Sequence, residues 1–379
     1  MEFMKKLPQV LVFSIVCLIS IILFSFQSQQ EKSLKELFED SFFIGAALNY
    51  EEVADLSERA LPVLKQHFNS ISPENGLKWI KIHPKPDVYD FSFGDKYVSL
   101  GEKLDAFVVG HTLAWHQQVP DWVFEKSDGT PKSKTELLAT LEGHIETVVA
   151  RYKGKIHGWD VVNEAVEDNG EFRKSKWFEI AGVDFIKTAF RKANQTDPNA
   201  ELYYNDYNVF NPKKRAAILK LAKEMRSEGI RIDGIGMQGH YLLKSPTIDE
   251  IEKGILEIHE AGFNVMITEL DVDVLKRPRE EMGADLSRTY AFQEEFNPYS
   301  NGLPAEVETE LVNRYLDIFQ LYYKHRDKIS RVTFWGIQDG GSWLNNWPVK
   351  GRTNYPLLFG RDYSPKTPIF EGLKEMVSK

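Results

Sequence analysis

Eight short, continuous apolar runs, separated by amphipathic stretches long enough for helices, constrain this chain more than any other feature. The runs cover residues 43–48, 68–72, 106–110, 156–162, 202–205, 234–238, 265–270 and 332–337. An unbroken apolar run of that length reads as a strand buried on both faces, the condition of a parallel sheet covered by helices. The intervening stretches carry helix ends. Asn211 precedes Pro212 and Gly229 closes that helix; Thr247 and Glu250 form a capping box with Gly262 as the stop; Ser133 and Glu136 open a helix that runs towards Tyr152. Strand alternating with helix implies right-handed βαβ units, and eight of them favour an α/β fold closed into a (β/α)8 TIM barrel. A doubly wound open sheet is the structural alternative. With no Pro/Ser-rich linker and no internal repeat, residues 31–379 read as a single domain.

Two stretches fall outside this rhythm. At the amino terminus Lys5 and Lys6 precede an apolar run from residue 7 to 26, followed by Gln27, Ser28, Gln29 and Gln30. A positive start, an apolar segment and a polar exit describe an export signal over residues 1–30. The run is also near bilayer-spanning length, and no A-x-A site ends it, so an uncleaved membrane anchor is the second form of the same expectation. Either form places the folded body outside the cytoplasm: periplasmic, at the cell surface or secreted. The second stretch, residues 272–304, mixes charges, Pro, Gly and aromatics, including Arg277-Pro278-Arg279 and Phe296-Asn297-Pro298-Tyr299. A loop this long inside a compact domain is functional or mobile, and it follows the seventh strand, at the mouth of such a barrel.

Composition excludes more than it names. The single cysteine, Cys17, lies in the amino-terminal run, so the folded body has no disulfide framework, thiolate metal site or cysteine nucleophile. A formal charge of −9 argues against nucleic-acid or anionic-membrane partners, which reward clustered Lys and Arg. It suits a neutral substrate.

The chemistry gathers where the runs end. The second run passes into Glu74-Asn75-Gly76-Leu77-Lys78 and the third into Gly110-His111-Thr112-Leu113-Ala114-Trp115-His116-Gln117-Gln118. The fourth ends Trp159-Asp160-Val161-Val162-Asn163-Glu164-Ala165 and the fifth Tyr204-Asn205-Asp206-Tyr207-Asn208. Gln238-Gly239-His240, Thr268-Glu269-Leu270-Asp271 and the stretch from Trp335 to Trp343 complete the set. Taken singly, such a carboxylate is an N-cap or an ion-pair partner, a histidine is a hydrogen-bonded core residue, and a tryptophan is packing. On a barrel, however, all seven ends point into one mouth, and so many buried polar groups cost stability unless a ligand or one another satisfies them. Carboxylates, amides, histidines and tryptophans together match a sugar, with hydroxyls to bond and ring faces to cover.

Trp159 through Ala165, Ile267-Thr268-Glu269-Leu270-Asp271, Gly110 through His116 and Glu74 through Lys78 resemble the signatures of glycoside hydrolase family 10, the endo-β-1,4-xylanases. The resemblance spans residues 40 to 375 with the motifs in family order. It implies a retaining mechanism on xylan and xylo-oligosaccharides, with no cofactor, no metal and no obligate protein partner. Glu164 would be the general acid/base and Glu269 the nucleophile, with His240 and Asp271 orienting Glu269. Asn163 would hold the sugar 2-hydroxyl at the point of cleavage, in a subsite lined by Lys78, His111, Trp115 and Gln238. Glu74, Asn75 and Gln118 would bind the next sugar on the non-reducing side. Trp335 and Trp343 would form an apolar wall, and Tyr207 and Asn208 would meet the leaving side. Retention sets the two carboxyls about 5–5.5 Å apart, and repulsion at that distance should lift one pKa and supply the acid.

Two further patterns carry nothing. Gly234-Ile235-Gly236-Met237-Gln238-Gly239 fits G-x-G-x-x-G, but no helix opens on these glycines. His111 and His116 lack the spacing of a paired zinc motif. The alternatives left open are the same chemistry on β-1,4-glucan or mixed-linkage glucan, a non-catalytic carbohydrate-binding protein, and a metal-dependent barrel hydrolase.

Overall fold

The structure, a computed structural model, describes residues 32–54, 59–278 and 289–378. Among the described residues nine strands follow one another as β1 (Phe43–Leu48), β2 (Ser70–Pro73), β3 (Phe107–Ala114), β4 (Gly158–Asn163), β5 (Glu201–Asp206), β6 (Gly234–Met237), β7 (His240–Leu242), β8 (Asn264–Asp273) and β9 (Ile329–Phe334). Hydrogen bonds run β6-β5-β4-β3-β2-β1-β9-β8, and β6 pairs with β8 to close the ring. Every pairing between these strands is parallel. This is the (β/α)8 barrel, and the open sheet is excluded by that closure.

Strand burial explains the unalternating runs. All six residues of β4, all four of β6 and seven of eight in β3 are buried, the helices covering one face and the barrel interior the other. The helix ends fall where the sequence puts them. Ser133 caps Lys134–Arg151, Asn211 caps Pro212–Ser227 and Thr247 caps Ile248–Glu260, the first and last with complete capping boxes.

The strand limits differ from the apolar runs in a consistent way. Pairing continues past the apolar segment in β3 and β8, to Ala114 and Asp273, so that much of the polar motif lies inside the sheet. The eighth run stops earlier than expected, at Phe334, which frees Trp335 for the mouth. The additional strand β7 was not expected. Gly239 takes φ +87°, turning the chain out of β6 so that His240 pairs with Asp271 on β8. The G-x-G-x-x-G stretch thus leads into a strand, and the next helix begins at Ile248.

The described parts of the loop after β8 lie against residues 345–356. Thr353 N–H donates to Asn297 Oδ1 at 2.7 Å, Tyr355 Oη to the Tyr299 carbonyl at 2.8 Å, and Tyr290 bridges to Val349. Arg279 and the expected export segment, residues 1–30, lie outside the described residues. Among the described residues no helix is long and apolar enough to cross a membrane.

Candidate active site

At the mouth, Lys78, His111, Trp115, Asn163, Glu164, Gln238, His240, Glu269, Trp335 and Trp343 line one cleft. They come from six different strand ends. The barrel therefore brings together ten of the sixteen site residues expected from sequence, and the other six stand around them.

Glu164 follows β4 with φ +58°, a conformation that carries its side chain off the end of the strand and into the cleft. Its backbone is held on both sides, its N–H donating to the Asn205 carbonyl at 2.9 Å and its carbonyl accepting from Arg173 Nε at 2.9 Å. One carboxylate oxygen accepts from Trp115 Nε1 at 2.8 Å. The other accepts from Gln238 Nε2 at 2.8 Å and Asn163 Nδ2 at 3.2 Å.

Glu269, on β8, is fixed by a different set. Oε1 accepts from Asn205 Nδ2 at 2.7 Å, and Oε2 lies 3.2 Å from His240 Nε2. His240 is itself 3.0 Å from Asp271 through Nδ1, and Asp271 accepts from Trp343 Nε1 at 2.8 Å. Buried Asp271, β7 and the indole thus set the imidazole, and the imidazole sets Glu269. The two glutamates are joined through amides: Asn205, which holds Glu269, also donates to Asn163 Oδ1 at 3.1 Å, and Asn163 donates to Glu164.

The electrostatics of the two glutamates differ. Burial opposes charge on His240, but Asp271 and Glu269 overcome it and raise its pKa to about 10, so an imidazolium faces Glu269 at neutral pH. Burial also pushes the Glu164 carboxyl up. The electrostatic pull of His116 3.9 Å away, the bonds from Gln238 and Trp115, and the Arg173 charge outweigh it and hold Glu164 below the ordinary carboxylate range. The expectation that repulsion within the pair lifts the acid is not met at Glu164 in the free cleft. Donors surround this carboxylate, and together with His116 and Arg173 they outweigh burial.

Lys78 lies buried beneath the cleft, its ammonium 4.5 Å from the Trp115 ring centroid and donating to Asn75 Oδ1 at 2.9 Å. Burial lowers its pKa against the pull of Glu269, Glu74 and Glu164. Gln118 donates to the same Asn75 oxygen at 3.0 Å, and Glu74 is raised by burial more than Lys78 and Asn75 lower it. Trp335 meets both His111 and His240 edge-on, at 5.4 and 6.4 Å, and Trp343 is backed by Trp347 at 4.9 Å.

Tyr207 and Asn208 stand outside the ring of residues around the glutamates. Tyr207 Oη accepts from Arg173 at 2.6 Å while Lys214 Nζ lies over its ring, and Asn208 donates to Asp168 at 3.0 Å.

Sequence reasoning missed four contributors. Asn205 is the hub between the carboxylates; its polar side chain at the end of an apolar strand was the signal. Asp160 holds His111 Nδ1 at 2.9 Å, and it too lies within the Trp159–Ala165 motif. His116, considered only as a metal ligand and set aside, lies 3.9 Å from Glu164 and lowers its pKa. Arg173 sits in a loop with no pattern to mark it. Among the described residues no group of three or more His, Cys, Asp or Glu is arranged to hold a metal ion.

Two buried glutamates, one just past β4 and one on β8, thus face the same cleft. The profile described as glycosyl hydrolase family 10 matches residues 33–376. The chain belongs to glycosyl hydrolase family 10. It is 44% identical to endo-1,4-beta-xylanase A of Xylanibacter ruminicola over 347 residues, 92% of this chain and 94% of that one. A beta-1,4-xylanase of Dictyoglomus thermophilum is 40% identical, covering 96% and 98%. Among solved structures, a family 10 endoxylanase from a sugarcane soil metagenome superposes with a TM-score of 0.87 at 44% identity, over 91% of this chain and all of that one. An intracellular xylanase of Thermoanaerobacterium saccharolyticum, solved with xylotriose, superposes at 0.78 with 32% identity, over 92% and 99%. The chain is thus a member of a retaining glycoside hydrolase family.

Proposed function

We propose that this protein is an endo-acting β-1,4-xylanase working by double displacement. Glu269 attacks the anomeric carbon while Glu164 protonates the departing glycosidic oxygen. Glu164, now a base, then deprotonates the water that releases the glycosyl group from Glu269. The observation that carries this reading is the separate wiring of the two carboxylates. Glu269 faces an imidazolium, which suits a group that must stay ionised, and Glu164 is bound by neutral amide and indole donors that a proton can displace.

Because burial is the largest influence on Glu164, a glycan that expels water from the cleft raises its pKa towards the protonated form that the first step needs. Asn163 engages the 2-hydroxyl, a bond that strengthens as the ring takes on oxocarbenium character. Lys78, His111, Trp115 and Gln238 complete that subsite, and Glu74, Asn75 and Gln118 take the next sugar on the non-reducing side. Trp335 and Trp343 form the wall that crowds a 6-hydroxymethyl group and so selects xylose over glucose. Tyr207, held by Arg173, and Asn208, held by Asp168, meet the leaving side. Residues 1–30 direct the chain out of the cytoplasm as a signal or an anchor, supported by their charge and hydropathy pattern.

The test is digestion of xylan, arabinoxylan, glucuronoxylan and mixed-linkage glucan side by side, with proton NMR of the first products from xylopentaose. Xylo-oligosaccharides appearing first as the β-anomer, with glucan cut slowly, are expected. A first-formed α-anomer would remove the double displacement, and faster cleavage of glucan would remove the xylan assignment.

A further inference from the structure

We infer that Tyr50 is a stacking platform for a third sugar on the non-reducing side, beyond the one placed at Glu74 and Asn75. This deepens the glycanase reading above and rests on it. Tyr50 is 56% exposed, the most exposed large apolar side chain among the described residues. It lies two residues past the carboxyl end of β1, and therefore at the mouth of the barrel.

Two contacts tie it to the cleft. Its ring lies against Phe93, with centroids 5.4 Å apart and planes at 24°, and Phe93 is buried. Phe93 in turn lies on Gly76, so closely that a Cβ there would fall 2.1 Å from its ring. Gly76 follows Asn75 directly, so the pair of rings sits beside the outermost expected sugar contact. From the other side, Glu74 N–H donates to the Leu48 carbonyl at 2.9 Å, and Glu52 is buried and raised to about 7, first by burial and then partly by Glu74.

The segment is also held still. Asn49 and Glu52 cap each other, each side chain accepting from the other's backbone N–H at 2.9 Å. A ring needed only to seal Phe93 would itself be buried. Here one face rests on a fixed aromatic neighbour while much of the side chain stays open to water, the arrangement that suits the apolar face of a sugar. A third ring held there lengthens the preferred substrate and biases where it is cut.

The experiment uses the full chain, Tyr50→Ala and Tyr50→Phe on 4-nitrophenyl xylobioside, xylohexaose and end-labelled xylotetraose. Wild-type failure on every substrate would sink the glycanase reading itself, separately from this inference. Tyr50→Ala should lower kcat/KM on xylohexaose roughly three- to tenfold while leaving the aryl xylobioside within about twofold, and Tyr50→Phe should restore it. The ratio of three-plus-one to two-plus-two cleavage of xylotetraose should fall in Tyr50→Ala, a ratio that does not depend on how much protein is folded. An unchanged ratio, or an equal loss on xylobioside and xylohexaose, overturns the inference.

Discussion

Asn163, Glu164 and Glu269 stand out in the sequence because polar residues end apolar runs, but their partners are less visible. What a carboxylate accepts from depends on strands up to 74 residues away, as in the Gln238–Glu164 bond. The state of Glu164 is the clearest case: two nearby glutamates suggest repulsion, and only the structure places His116, Gln238 and Trp115 around one of them. His116→Asn removes the electrostatic influence that lowers Glu164, which favours the protonated carboxyl. The alkaline limb of the kcat/KM–pH profile should therefore move to higher pH. A limb that stays put or moves down would show that His116 charge does not act on Glu164. His240 has a signature in stability. Its folded pKa of about 10 lies above the 6.5 of a free imidazole, so its contribution is fully present below pH 6.5 and lost as pH rises through 10. In denaturant titrations the wild type's advantage over His240→Gln should shrink across that window, and a difference that grows with pH would contradict the ion-pair assignment.

At the level of strands and helices, periodicity and caps were enough to place most elements. Ser133, Asn211 and Thr247 mark helix starts by satisfying orphan N–H groups, a local matter that sequence records directly. β7 was invisible because a single positive-φ glycine, Gly239, makes it, and its partner Asp271 is distant in the chain. Gly236 shows how an element can serve the site. A Cβ there would stand 2.3 Å from Asn205 Oδ1, the side chain that holds Glu269. Asn205 cannot simply turn away, since Thr268 Oγ1 donates to that same oxygen at 2.6 Å. Gly236→Ala should therefore cost about 1–3 kcal/mol by overpacking, and should lower kcat more than tenfold with KM little changed. Wild-type kcat in the folded variant would mean that the closeness of β5 and β6 does not position the nucleophile.

For the whole molecule, the number and order of apolar runs specified the barrel, because eight parallel strands covered by helices have few other ways to close. The sequence left undecided how the loop after β8 packs, since loop contacts such as Asn297 with Thr353 follow no period. The amino-terminal segment lies outside the barrel pattern, so a chain beginning at Gln30 should keep its activity per folded molecule. A loss of more than tenfold would tie residues 1–29 to the catalytic body.

The division of labour between Glu164 and Glu269 is tested most directly by giving Glu164→Ala a substrate that needs no acid. Xylan cleavage should fall by about 10²–10⁴, because a sugar alkoxide leaves badly without a proton. A dinitrophenyl xylobioside should still transfer its glycosyl group to Glu269, giving a burst of phenol and a trapped glycosyl-enzyme. Azide, which needs no base, should then release the trapped sugar as the β-glycosyl azide, while Glu269→Ala gives neither burst nor β-azide. An α-azide from Glu164→Ala would mean direct displacement without a covalent intermediate, and both roles would have to be reassigned.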